Sequence, residues 1–333
     1  MDKVAVIGAG SWGTTVAAMA ARRARTVLWA RHRELADSIN ESHVNKPYLP
    51  GLELPDTLAA TADLAEASSD ADVVVMAVPS HGFREVFTEI APGLREDRTI
   101  ISLTKGIEQG TLATMTEVVF DVEPEVDRDR VGVMTGPNLA SEIAAGQPTA
   151  TVVAMRHIEA AAALQQLFMG PSFRVYTNDD VTGCELGGAL KNVMAIASGM
   201  SDGLGFGDNT RATLLTRALA ELTRLGVALG GRPETFAGLA GMGDLIATCS
   251  SDRSRNHRVG FALARGQTLE EITTEMRMVA EGVKTTKSVL GLAERTGVDM
   301  PIASHVDLVL EGKLSPKEGM LSLMTREAKA ESR

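Results

Sequence analysis

The chain has 333 residues, 44% hydrophobic and 23% charged, with 32 glycines, enough for two domains that each bury a core. Its net charge of −10 argues against a nucleic-acid or anionic-membrane partner. It leaves room for a small anionic substrate, because a few local cations outweigh a diffuse field at short range. Cys184 and Cys249 are too few for a disulfide framework, the scattered histidines show no zinc spacing, and no apolar run reaches membrane-spanning length. The expectation is a metal-free protein in a reducing, cytoplasmic setting, without a signal peptide ahead of the first strand.

Residues 4–7 form a short β-branched run. They lead into Gly8-Ala9-Gly10-Ser11-Trp12-Gly13 and then an alanine-rich stretch that predicts a helix to about residue 24. A strand, G-x-G-x-x-G and a helix in that order are the dinucleotide fingerprint in its proper context. Gly8 serves the tight turn, Gly10 the approach of a pyrophosphate, and Gly13 the packing of helix on strand. Residues 26–30 read as a second strand, and residues 45–55, with three prolines, as a surface loop. Residues 72–78 are apolar without alternation, which suits a parallel strand buried on both faces. Further strands are expected at 99–103, 131–135, 149–154 and 173–176, with helices between them, for example at 157–168. This alternation implies an α/β, doubly wound parallel sheet.

After Asn178 the strand pattern stops. Leu214, Leu215, Ala218, Leu219, Leu222 and Leu225 recur at helical spacing, and Gly230-Gly231 ends that helix. Thr268 with Glu271 fits a capping box, and residues 282–295, 302–310 and 316–324 complete an all-helical half. The expected division is residues 1–178, a dinucleotide-binding domain, and 179–333, a helical substrate-binding and catalytic domain.

Ligands of open α/β sheets lie beyond the carboxyl ends of the strands, and several residues qualify by position. Arg31 follows the second strand, where an NAD-restricted protein usually carries Asp or Glu. With His32 and Arg33 it is suited to a 2′-phosphate, which favours NADPH with NADH tolerated. Lys105 follows another strand end, next to Gly106. Gly136-Pro137-Asn138-Leu139-Ala140 repeats the layout, with Asn138 read as a helix cap. Lys191 lies in an almost entirely apolar helix, on one face with Gly187, Gly188, Met194 and Ala195. Those small residues would let a cofactor ring approach, and desolvation would lower the lysine's pKa toward proton transfer. Asp244 is read as the cap of a short helix. Arg253, Arg255 and Arg258 cluster at the next helix start, where the macrodipole disfavours cations unless an anion binds between them.

Taken together, these blocks resemble the bacterial NAD(P)-dependent sn-glycerol-3-phosphate dehydrogenase family. They are V-A-V-I-G-A-G-S-W-G-T from Val4, V-P-S-H from Val78, T-K-G-I-E from Thr104 and G-P-N-L-A-S-E-I-A-A-G from Gly136. L-G-G-A-L-K-N-V follows from Leu186, then G-M-S-D-G-L-G-F-G-D-N from Gly199, A-G-M-G-D-L-I-A-T-C-S from Ala240, S-R-N from Ser254 and V-A-E-G from Val279. Their order and spacing run nearly end to end. The resemblance implies a Rossmann-type N-terminal domain and a helical C-terminal half like that of 6-phosphogluconate dehydrogenase, with a cleft between them. It further implies reversible reduction of dihydroxyacetone phosphate to glycerol 3-phosphate with NADH or NADPH, a supply of glycerophospholipid precursor, and a homodimer.

Carried over by motif, Lys191 is the general acid and Lys105 holds and polarises the substrate. Asn192, Asp244 and Thr248 orient substrate oxygens and lysines, Arg255 and Asn256 bind the phosphate, and Gly136, Asn138 and Ser254 complete the pocket. Ser11, Trp12, Arg31, Lys105, Ala140, Arg255, Val279 and Glu281 line the cofactor site, with His32 beside them. Asn138 departs from the Ser or Thr frequent in the family. The residues themselves leave two alternatives open: a β-hydroxyacid-type dehydrogenase acting on a carboxylate substrate, and a non-catalytic NAD(P)-sensing protein.

Overall fold

A strand covered on both faces needs apolar side chains at every position, and Val73–Met76 supplies them: all four residues are buried. It is the inner strand of a sheet revealed by the computed structural model, which describes residues 1–276, 280–328 and 330. The first half runs β1 (Lys3–Ile7), α1 (Ser11–Ala20), β2 (Arg25–Trp29), α2 (Arg33–Ser42), β3 (Leu58–Thr61), α3 (Leu64–Ser68), β4 (Val73–Met76) and α4 (Ser80–Ile90). It continues through β5 (Thr99–Ser102), α5 (Met115–Val122), β6 (Val131–Thr135), α6 (Ala140–Ala144), β7 (Thr149–Ala154), α7 (Ile158–Phe168) and β8 (Phe173–Asn178).

Among the described residues these strands form one eight-stranded sheet in the order β3-β2-β1-β4-β5-β6-β7-β8. Val4 and Val6 of β1 feed a core shared with α1 and α7, while Ala5 and Ile7 feed the opposite core, shared with α4 and α5. The chain leaves β1 toward β2 and β3, then returns to β4 on the other flank. That reversal opens the crevice in which this architecture takes ligands.

Two features of the sheet differ from expectation. β7 pairs antiparallel with β6, through Val133↔Ala154 and Thr135↔Val152, so the sheet is mixed. The only helix between them, α6, has 5 residues and rises ~7 Å, less than half the ~16 Å needed to recross a strand of that length. The chain therefore turns back. The second difference is β3, a four-residue edge strand of alternating burial, whose alanines carry little strand signal. In addition, α1 stops at Ala20, capped by Ala21, short of residue 24.

The second half is helical: α8 (Val181–Gly203), α9 (Asp208–Ala228), α10 (Pro233–Ala237), α11 (Asp244–Cys249), α12 (Arg255–Ala264), α13 (Leu269–Glu275), α14 (Glu281–Thr296), α15 (Pro301–Leu310) and α16 (Pro316–Met324). Helix α8 is buried along almost its whole length, wrapped by α9, α11, α12 and α14. Asp180 starts it by accepting from the Gly183 amide at 2.9 Å, and Thr268 with Glu271 forms the expected capping box of α13.

Candidate active site

At the carboxyl end of β1 the backbone does what the glycines require. Gly8 has φ +126°, and a Cβ there would stand 2.7 Å from the Ala77 carbonyl oxygen; a Cβ on Gly13 would stand 2.0 Å from that of Gly8. Those two glycines clamp the turn between β1, β4 and α1. Gly10 is different, because nothing lies within 4 Å of its missing Cβ. It is also the N-cap of α1 and offers no side-chain cap. The first-turn amides of α1 therefore face open space, the form a dinucleotide pyrophosphate fits.

Ser11 and Trp12 open α1. Ser11 Oγ donates to the Tyr48 carbonyl at 2.7 Å, and the Trp12 ring packs 6.3 Å from Phe173. Asn45 Nδ2 donates to the Ala9 carbonyl and to Thr14 Oγ1, which moors the proline-rich loop against the glycine turn. Arg31 and His32 lie exposed past the end of β2, and His32 is the N-cap of α2.

The opposite wall is built around one buried carboxylate. A π-helical turn at Leu239–Gly243 delivers Asp244 as the first residue of α11, 2% exposed. Asp244 Oδ2 accepts from Lys105 Nζ at 2.6 Å, and Oδ1 lies 3.4 Å from Lys191 Nζ. Lys105 Nζ also donates to the Gly136 carbonyl at 2.9 Å. Lys191 Nζ donates to Thr248 Oγ1 at 2.7 Å and Asn192 Oδ1 at 3.1 Å, while Thr248 Oγ1 donates to Asp244 Oδ1 at 3.2 Å. Asn192 Nδ2 donates to the Lys105 carbonyl, and Asn256 Nδ2 donates to Asn192 Oδ1.

Lys191 is 4% exposed. Burial pulls its pKa from 10.5 down to about 8; Asp244 opposes that fall and the neighbouring Lys105 charge deepens it. Two ammonium groups on one carboxylate leave net positive charge in a nearly dry place. Such a site attracts an anionic substrate and holds a proton that is ready to leave.

The structure brings Lys105, Gly136, Lys191, Asn192, Asp244, Thr248 and Asn256 into a single hydrogen-bonded cluster. Ser254 caps α12, its Oγ accepting from the His257 amide at 3.3 Å, with Arg255 the first helical residue. Among the described residues Arg255 has no ion-pair partner; burial of its guanidinium lowers its pKa, and Glu281 opposes the shift. Ala140 begins α6 and Glu281 begins α14. The Glu281 carboxylate accepts from Ser80 N at 3.1 Å and Ser80 Oγ at 2.5 Å. Val279 lies outside the described residues.

Four local readings are corrected. Asp244 does not cap α11; Gly243 holds that position, because the carboxylate is committed to the lysines. Asn138 does not cap α6. Leu139 does, and Asn138 Nδ2 instead donates to Thr151 Oγ1 at 3.0 Å. Gly187 and Gly188 make room for the protein itself: their missing Cβ atoms face the Ala240 carbonyl at 2.6 Å and Thr135 Oγ1 at 2.7 Å. Arg253 is neutralised by Glu142 at 3.1 Å, which leaves the anion-facing charge of that turn to its neighbours.

Two residues of the constellation carry no role in the sequence reading. Ser80 binds Glu281, and Thr135 Oγ1 lies 3.5 Å from Asp244 Oδ2. Both stand at strand carboxyl ends, in V-P-S-H after β4 and just before Gly136 after β6, the position that selected Lys105.

Both halves of the chain match known proteins. Residues 3–161 match the family model described as NAD-dependent glycerol-3-phosphate dehydrogenase N-terminus, and residues 180–321 the corresponding C-terminus. Glycerol-3-phosphate dehydrogenase (NAD(P)+) 2 of Sphingopyxis alaskensis is 57% identical over 311 residues, covering 93% of this chain and 92% of its own. The Geobacter metallireducens glycerol-3-phosphate dehydrogenase (NAD(P)+) is 52% identical over 331 residues, 99% of each chain. The crystal structure of glycerol-3-phosphate dehydrogenase from Coxiella burnetii superimposes with a TM-score of 0.93 at 38% identity, covering 98% of this chain and 99% of that one.

Proposed function

The chain belongs to the NAD-dependent glycerol-3-phosphate dehydrogenase family, and from that premise we propose how its cleft carries out the reaction. It is an NAD(P)-dependent oxidoreductase that interconverts dihydroxyacetone phosphate and sn-glycerol 3-phosphate, the backbone of glycerophospholipids. NADH or NADPH, when bound, would supply the hydride for reduction and accept it in the reverse direction. Gly8, Gly10, Ser11, Trp12 and Gly13 would hold the pyrophosphate at the α1 N-terminus, with Arg31 and His32, exposed past β2, available to a 2′-phosphate. By the family resemblance, Ala140 and Glu281 would complete the cofactor site.

Reduction builds negative charge on the substrate carbonyl oxygen. Lys191 neutralises it by passing one Nζ proton to that oxygen, and in oxidation takes the hydroxyl proton back. Such general acid help is worth about 10²–10⁴-fold, or roughly 3–5 kcal/mol. Lys105 polarises the same oxygen. Asp244 holds both ammonium groups, and Thr248 and Asn192 fix the direction of the Lys191 Nζ. Arg255 and Asn256 take the phosphate at the N-terminus of α12, supplying the orientation a three-carbon substrate lacks. Gly136, Asn138 and Ser254 close the pocket.

One observation carries this reading: two lysines share the buried Asp244, at 2.6 and 3.4 Å. A sensor that only binds nucleotide has no use for a buried proton donor with a pKa of about 8. The division at residue 178 is supported by the end of the sheet at Asn178 and the start of α8 at Val181. The family resemblance supports a cytoplasmic homodimer; no described helix is long and apolar enough to cross a membrane.

The deciding experiment is cofactor oxidation by purified protein with dihydroxyacetone phosphate, comparing NADPH with NADH and adding inorganic phosphate as competitor. Substrate-dependent oxidation with competitive inhibition is expected. Folded protein that oxidises neither cofactor, or turns over a carboxylate substrate unaffected by phosphate, would overturn the reading.

A further inference from the structure

Helix α12 lies unusually close to α8. A Cβ on Gly260 would stand 1.9 Å from the Ile196 carbonyl oxygen, and one on Gly199 1.9 Å from that of His257. The helices run side by side in one direction, with Asn256 bonded to Asn192 at one end and Phe261 against Gly203 at the other. Helix α8 carries Lys191, and the first turn of α12 carries Arg255 and Asn256. Any slide or rotation of α12 along α8 therefore changes the distance from proton donor to anion site. Glycine contacts set how close the helices come, and at one end Asn256, which donates to Asn192 Oδ1 and accepts from the Gly282 amide at 2.9 Å, fixes their register.

His257 supplies a directional tie. His257 is 3% exposed, and its Nε2 lies 2.9 Å from Asp202 Oδ2. Asp202 is in the last turn of α8, where the helix dipole disfavours a carboxylate. It is held there by His257 and by Arg211 Nη2 at 3.1 Å, and Arg211 also pairs with Asp208. The backbone amide of His257 meanwhile donates to Ser254 Oγ and closes the cap of α12. One residue thus joins the phosphate-facing cap to the far end of the helix that bears the general acid. Asp202 lies 11 positions beyond Lys191, ~16 Å along α8 at the helical rise, so the tie acts at a distance from the reacting atoms.

We propose that His257 is a positioning residue for the phosphate clamp: its bond to Asp202 fixes the first turn of α12, so that Arg255 and Asn256 meet the substrate phosphate at the reach set by Lys191. The inference rests on the reading of Arg255 and Asn256 as that clamp.

Steady-state kinetics of four variants, with inorganic phosphate as an independent probe of the clamp, test it. Arg255→Ala should raise KM for dihydroxyacetone phosphate strongly, and no rise there would overturn the clamp and this inference together. His257→Leu should raise the same KM about tenfold and weaken phosphate inhibition in parallel, as expected for an anion site displaced by a fraction of an ångström. KM for NADPH should rise much less, since of the cofactor-lining residues only Arg255 lies in the turn that moves. His257→Gln, whose amide can still donate to Asp202, should recover most of the loss.

In the Arg255→Ala background, His257→Leu should add less than it does alone, because part of its effect runs through Arg255. A rise with Arg255→Ala but none with His257→Leu, additive effects in the double variant, or failure of glutamine to rescue would each overturn the positioning role while leaving the clamp standing. If His257→Leu does not fold, Asp202→Ala, which removes the acceptor of the His257 Nε2 bond, takes its place: a KM for dihydroxyacetone phosphate raised more than that for NADPH supports the tie, and an unchanged one overturns it.

Discussion

At the glycine-loop wall the protein offers a charged ligand, on the proposed reading, uncapped backbone amides and open space beside Gly10. At the α8 wall it buries two ammonium groups around Asp244. The first wall binds without committing a side-chain charge, so its geometry is set by which positions lack a Cβ. The second needs a charge that is strained by desolvation and still protonated near neutral pH. On the proposed reading, pyrophosphate contact is therefore written locally, in six consecutive residues, whereas proton transfer is assembled from the ends of β5 and β6 with α8 and α11. The lesson is that the two walls should fail differently when altered.

The largest effect is expected at the charged wall. Lys191→Met should lower kcat by about 10²–10⁴-fold while the protein still binds NADPH, measured by turnover alongside fluorescence titration of the cofactor. Near-normal turnover would remove Lys191 from the chemistry and erase the contrast between the walls. Gly10→Val tests the other wall. A Cβ there has no protein atom within 4 Å, so folding should persist, while KM for NADPH rises by roughly tenfold or more because the branched side chain fills the space the pyrophosphate needs. A thermal midpoint that fell along with the affinity would show that Gly10 serves packing, as Gly13 does.

The pH profile sharpens the comparison. If Lys191 is the general acid, as proposed, kcat for reduction should fall as pH rises through about 8, and oxidation should gain over the same range. Asp244 raises that pKa. Asp244→Asn should therefore move the alkaline limb to lower pH, in protein shown to be folded, since removing one partner of a buried pair is also destabilising. A limb that did not move would mean that the titrating group lies elsewhere. The smallest effect is expected at exposed Arg31: Arg31→Ala should reduce the preference for NADPH over NADH by up to about tenfold, equivalent to roughly 1.4 kcal/mol. An unchanged ratio of the two Michaelis constants would take Arg31 out of 2′-phosphate recognition.

Much of this is legible in the amino-acid sequence. Gly8, Gly10 and Gly13 act through their own backbone, and a strand-turn-helix of consecutive residues reads the same in one dimension as in three. The apolar setting of Lys191 likewise announces its burial, because a helix with no polar face has to lie inside. Local reading goes astray where a side chain has two local options and a distant third. Asp244 reads as a cap because Asp before a helix commonly is one; its partner Lys105 lies 139 positions away. Asn138 is drawn across β7 to Thr151 for the same reason, and the return of β7 depends on α6 being too short to cross the sheet.

The sequence by itself determined an α/β half followed by a helical half, the dinucleotide turn, and the identities of the residues that could do chemistry, since these follow from periodicity, glycine placement and motif order. Only the tertiary structure decided which charges meet. It placed Asp244 between two lysines, turned the small residues of α8 toward the protein's own backbone, and tied His257 to Asp202. Each of those outcomes depends on where helices pack against one another, and packing joins residues by distance in space, on which their distance along the chain has no bearing.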